Sequence, residues 1–166
     1  EKSLMQVSCP KEYLVPKYYV DNSKRGFKIY HNLTESLTWE QAETVCRKKN
    51  QQGQLFQISS SYDNYLFLEM AKLVKMNSRT KCWIGLMKDA DSFVWSVRNA
   101  SFEKVNFVNW DSSSVTYFDT GTRGVINSNG SWSLFPEYST LKCFVCEAIV
   151  DYIPPEMSVK YFPQYN

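Results

Sequence analysis

Apolar and polar positions follow different periods along the chain. Residues 1 to 22 are polar and carry Pro10 and Pro16 around Tyr18-Tyr19-Val20, which predicts an arm with one short strand. Phe27 to His31 alternates weakly and predicts a strand. The stretch TWEQAETVCRKK then places Trp39, Ala42 and Cys46 at i, i+3 and i+7, behind a Thr38 to Gln41 capping box. This predicts an amphipathic helix with a cysteine on its buried stripe, and its basic end, Arg47-Lys48-Lys49, suits the helix dipole. Gly53 breaks the chain, Leu55 to Ile58 reads as a short buried link, and Ser60 with Asp63 caps a second helix. Leu66, Met70 and Leu73 form the stripe expected of that helix. From Lys81 onward, Cys82-Trp83-Ile84-Gly85-Leu86, Phe93-Val94-Trp95 and Phe107-Val108-Asn109-Trp110 predict strands between polar turns. Asp111 to Asn129, rich in Ser, Thr, Gly and Asp, predicts a long loop of the kind that carries function. Leu141 to Val150 predicts a closing strand, and the three prolines of DYIPPEMSVKYFPQYN predict a tail.

Composition narrows the classes. At 166 residues, with 43% hydrophobic and 16% aromatic content, the chain suits one domain with one core. Nineteen Lys plus Arg against 17 Asp plus Glu, in short clusters, give no basic stripe for a phosphate backbone, so nucleic acid is not an expected partner. The longest apolar run, near Cys143 to Val150, is interrupted by Glu147 and is too short to cross a bilayer. Catalysis is not expected either. His31 is the single histidine, and G-x-S-x-G, H-E-x-x-H and phosphate-loop patterns are missing.

Cys143 and Cys146 form a C-x-x-C, a spacing used by zinc knuckles and redox pairs. Both uses need a turn between the cysteines, whereas Phe144-Val145 favours extended chain. On a strand, residues three apart face opposite sides, so the two sulfurs should neither meet nor share a metal. Zinc also wants four N or S ligands, which one histidine and scattered cysteines do not supply, and no cofactor is expected. Cys146 should instead face the helix stripe that carries Cys46, and that pair would bond. Cys143, facing the other way, needs a different partner or none, and Cys82 and Cys9 are the candidates. Five cysteines leave one thiol over, available to another chain. Disulfides imply an oxidising compartment, and the sequons at Asn32, Asn99 and Asn129 point the same way as glycosylation sites of an extracellular protein.

Taken in order, Trp39-Glu40-Gln41-Ala42-Glu43 before Cys46, Leu55-Phe56-Gln57-Ile58, Trp83-Ile84-Gly85-Leu86, Phe93-Val94-Trp95, Asn109-Trp110 and Val145-Cys146-Glu147 resemble the C-type lectin-like domain. The resemblance implies an α+β fold. Two helices would flank a two-part antiparallel sheet with a long upper loop, and the Cys46 to Cys146 bond would join first helix and last strand. It divides the chain into an arm at 1–8, the domain at 9–150 and a tail or linker at 151–166. Cys82 with Cys143 is then the preferred second pair, since both lie on core strands, leaving Cys9 for a disulfide-linked or non-covalent dimer.

The departures from the family pattern bear on function. Sugar-binding members carry a Glu-Pro-Asn or Gln-Pro-Asp triplet and a Trp-Asn-Asp whose oxygens hold calcium; here the corresponding stretches read Asp111-Ser112-Ser113-Ser114 and Trp132-Ser133-Leu134. The family's second common disulfide is also missing, with Gly124-Val125 and Phe135-Pro136 roughly at its positions. The resemblance therefore implies an extracellular module, secreted or part of a membrane-tethered parent. It would bind a protein or glycoprotein ligand without calcium through its upper loop face, with Tyr117, Phe118, Trp132 and Tyr138 as anchors. The alternative is a carbohydrate-binding lectin with an altered calcium site using Asp111, Asp119, Asn127 and Asn129.

Overall fold

The structure, a computed structural model, describes residues 25–49, 53–89, 92–97, 102–112 and 121–149. Cys9, Asn99, Tyr117, Phe118, Asp119, the arm and the tail lie outside these residues. The elements run β1 (Arg25–Tyr30), α1 (Trp39–Lys49), β2 (Gly53–Leu55), α2 (Ser61–Leu73), β3 (Lys81–Asp89), β4 (Ser92–Ser96), β5 (Phe102–Lys104), β6 (Thr122–Asn127), β7 (Trp132–Pro136) and β8 (Phe144–Ile149).

Helix α1 begins where its capping box closes. The Thr38 N–H donates to Gln41 Oε1 at 2.9 Å, and the Gln41 N–H donates to Thr38 Oγ1 at 3.2 Å. Two donors that the first helical turn leaves over are thereby satisfied. Helix α2 uses Ser60, whose hydroxyl accepts from the Asp63 N–H. Its buried stripe is Leu66, Phe67, Met70 and Ala71. Leu73 does not complete it: the residue is 39% exposed, because α2 ends there and the chain turns away through Val74.

The strands form one sheet of eight, antiparallel except at a single junction. In the lower part β8 lies between β1, paired from Arg25↔Ile149 to Tyr30↔Phe144, and β2. The early and late parts of the chain are thus hydrogen-bonded neighbours. In the upper part β3 pairs with β4 and β6, β4 with β5, and β6 with β7. The parallel contact Trp83↔Phe144 joins the two parts. Strand β6 corrects the long-loop expectation for Asp111 to Asn129. Its central Gly124 hides the period-two pattern and yet has a clear use: a Cβ there would stand 2.3 Å from the Leu86 Cβ, so only glycine lets β6 approach β3 this closely.

Alternation along β8 and β3 divides the core in two. Phe144, Cys146, Ala148 and Trp83 face α1 with Trp39, Ala42 and Cys46. Cys143, Val145, Cys82, Ile84 and Leu86 face α2 with Leu66, Phe67 and Met70. Each core holds one disulfide. Cys46 joins Cys146 with Cα atoms 5.4 Å apart, and Cys82 joins Cys143 at 4.4 Å. The C-x-x-C is therefore two half-cystines pointing to opposite faces of the sheet, Cys143 just before β8 and Cys146 within it.

Candidate functional site

The base of the long loop is built around Trp132, at the start of β7. Its indole N–H donates to Asn64 Oδ1 at 2.9 Å, and the Asn64 amide donates on to the Gly130 carbonyl at 3.1 Å. Gly130 takes φ +87°, and a Cβ there would meet the Asn64 amide at 2.9 Å, so the turn needs glycine twice over. Asn109 also donates to the Gly130 carbonyl, at 2.8 Å. The chain leading to Ser112 is pinned beside it by Trp132 N–H to Asn109 O and Asp111 N–H to Trp132 O, both 2.7 Å. Rings of Trp95, Phe107 and Trp110 pack edge-on against the Trp132 ring with centroids 5.5 to 5.8 Å away. Trp132 is 0% exposed and so cannot be the ligand anchor expected of it. Its aromatic bulk is spent on holding the loop base.

Next to this hub lies a polar cluster. The Lys81 ammonium donates to Asn127 Oδ1 at 2.7 Å, and the Asn127 amide donates to Ser131 Oγ and Ser133 Oγ, each at 3.0 Å. Asn129 Oδ1 accepts from both the N–H and the hydroxyl of Ser131, at 3.0 and 2.7 Å. Two oxygens proposed for an altered calcium site are thus committed to protein donors, one of them a cation. Among the described residues no three His, Cys, Asp or Glu side chains converge as metal ligands.

The opposite end of the β6–β7 hairpin is more open. Glu137 N–H donates to the Gly121 carbonyl at 2.7 Å, which fixes where the chain returns from 113–120. Beside it Tyr138 is 80% exposed. Tyr138, Glu137, Arg123, Glu40 and Trp39 line a cavity of about 430 Å3. The Arg123 guanidinium lies 4.9 Å from the Trp39 ring and donates to Glu137 at 2.9 Å. Asn129 belongs to the far end of the hairpin, about 20 Å away along six residues of strand. A glycan on it would leave the Tyr138 cavity clear. Asn32 is also exposed, in a left-handed turn at φ 53°.

Sequence reasoning missed a buried ionic clamp between the sheet and α2. Arg25 donates to Glu147 and Asp63, each at 2.8 Å, and to the Gln57 carbonyl at 2.9 Å. Burial raises the Glu147 carboxyl above its ordinary value, with the Arg25 charge and the Gln57 N–H offsetting part of that rise. The one local signal is a glutamate in the middle of the apolar run FVCEAI.

A family model for the lectin C-type domain matches residues 35–148. The chain belongs to the C-type lectin domain family. Among solved structures similar to this C-type lectin domain is human lithostathine, at 19% identity and TM-score 0.65, with 87% of this chain and 97% of that chain covered. The carbohydrate-recognition domain of the mouse scavenger receptor C-type lectin is similar at 17% identity and TM-score 0.63, covering 84% and 99%. The C-type lectin CEL-I from Cucumaria echinata matches at 17% and 0.62, covering 86% and 99%. No curated protein sequence matches the chain. At these identities the likeness establishes the α+β fold; its two helices and mostly antiparallel sheet are those of the family.

Proposed function

We propose that this C-type lectin domain is an extracellular recognition module that binds a protein or glycoprotein ligand without calcium, through its upper loop face. The observation that carries the reading is the Lys81 ammonium seated on Asn127 Oδ1, backed by Ser131 and Ser133. A fixed positive charge at the C-terminal end of β6 opposes a divalent cation there, and Ser133 and Leu134 stand where the family's sugar-binding members carry cation ligands. Of the expected anchors Tyr138 is open to solvent, and Tyr117 and Phe118 belong to the same proposal. Residues 9–150 form the domain in this reading, with 1–8 as an arm and 151–166 as a tail or linker. Asn32, Asn99 and Asn129 are its glycosylation sites, and Cys9 is free to join a second chain. Catalysis has no part in it.

A second reading, glycan binding, draws support from the carbohydrate-recognition domain to which the fold is similar. Binding of the labelled domain to intact cells in a chelating buffer separates the two. Loss of binding after surface proteolysis, with no effect of chelation, is the expected result. Binding that vanishes with the chelator and returns with calcium would favour the glycan reading.

A further inference from the structure

The cavity beside Tyr138 shares its lining residues Trp39 and Glu43 with a second cavity of about 420 Å3, lined further by Met87, Ser96, Val97, Phe102 and Arg47. Together they form one groove between α1 and the sheet. Its lining runs from Tyr138, just past β7, across Arg123 on β6 and Met87 on β3 to Ser96 on β4 and Phe102 on β5. Four inter-strand gaps of about 4.8 Å make the groove roughly 19 Å long, the reach of about six residues of extended chain.

Its two halves differ in chemistry. In the Tyr138 half, which Tyr138 lines with its exposed ring, Glu137 is half exposed and paired with Arg123 at 2.9 Å, and Glu40 is exposed and carries the remaining negative charge. The one cation lining that half among the described residues, Arg123, offers little charge to solvent: its side chain is 13% exposed, stacked on Trp39, and donates to the Thr122 carbonyl and Glu137. A carboxylate left over beside an exposed aromatic ring favours a Lys or Arg side chain by charge and by cation–π attraction. In the Phe102 half, Glu43 and Arg47 neutralise each other at 2.9 Å and Ser96 donates to Glu43 at 2.7 Å. What remains there is apolar, Met87, Val97 and a Phe102 that is 46% exposed.

We propose that this groove takes an extended segment of a partner protein, with a Lys or Arg in the Tyr138 half and a large apolar side chain in the Phe102 half. The proposal rests on the reading of the domain as a protein-recognition module and names the partner's chemistry. A basic residue two to four positions from an apolar one spans about 7 to 13 Å, which matches the step across Trp39.

Panning the full chain against a displayed library of random dodecapeptides, then titrating synthetic copies of the enriched peptides, tests this. Enriched peptides should carry that basic and apolar pair, and their affinity should fall as salt rises from about 50 to about 300 mM. Glu40→Lys and Tyr138→Ala should each weaken them by about tenfold, as expected for losing one charged or aromatic contact. Both side chains are exposed, so unfolding midpoints should stay at the wild-type value and separate lost binding from lost fold. Acidic or uncharged enriched peptides, an empty selection, or affinities unmoved in both variants would overturn the proposal. Chelator-sensitive cell binding is read independently of the peptides. It would overturn the wider reading while leaving a peptide result standing.

Discussion

On the α2 side of the sheet the core is finished internally: three aromatic rings close around Trp132, Arg25 ties β1, β8 and α2 together, and Cys82–Cys143 lies beneath. On the α1 side Cys46–Cys146 holds helix to sheet, but Trp39 lines two cavities and a guanidinium lies over its ring. The polar groups of the first side face one another. On the second, Glu137 pairs with Arg123 and Glu43 with Arg47 at the surface, and Glu40 is open to solvent. Rigidity and availability for binding are thus divided between two faces of one sheet, and strand alternation makes the division possible.

The staples are the strongest test of that division. Cys46 and Cys146 are 100 residues apart and Cys82 and Cys143 are 61 apart. Loop closure gives about 4 to 5 kcal/mol for either, the difference being under about 1 kcal/mol. Denaturant unfolding of the Cys46→Ala/Cys146→Ala and Cys82→Ala/Cys143→Ala pairs should show losses of that size in both. A large loss in only one would mean that one face carries the fold alone. Trp132→Ala removes the α2-side hub and leaves Asn64 Oδ1 without its indole donor, so a loss of about 3 to 5 kcal/mol is expected in the same assay. Gly124→Ala forces a methyl against the Leu86 side chain between the two faces, for a loss of about 1 to 3 kcal/mol.

The smallest effect is a pH dependence confined to the α2 side. Glu147 is raised by burial, so just above the ordinary value of 4.5 the folded chain holds more protons than the unfolded one. The contribution of this group is fully present below that window and is lost as pH rises through it. Urea unfolding from pH 4.5 upward should show this falling component in the wild type, and subtracting the Glu147→Gln profile should isolate it. An identical pH profile in both would place the clamp's carboxyl at an unshifted value.

Much of this frame was legible in the sequence. The Thr38 and Gln41 box marked the start of α1, and Phe144-Val145 between two cysteines gave their opposite orientation. Both signals are local, carried by residues within four positions of each other. What escaped was set by distance. Arg25 and Glu147 lie 122 residues apart and meet only because β1 pairs with β8. Strand β6 was hidden by Gly124, whose role is a contact with β3, and the exposure of Trp132 was misjudged because a tryptophan at a loop base reads the same whether it points in or out. Of the site, Tyr138 was named; Lys81, Arg123, Glu40 and Glu137 were not, since scattered charges acquire meaning only when the sheet brings them to one place.

Calcium titration by calorimetry addresses the central claim most directly. With the Lys81 ammonium on Asn127 Oδ1, no saturable heat is expected up to about 10 mM calcium, beyond the range of extracellular calcium modules, and no rise in melting temperature. A saturable site in the micromolar to millimolar range, with matching thermal stabilisation, would contradict it.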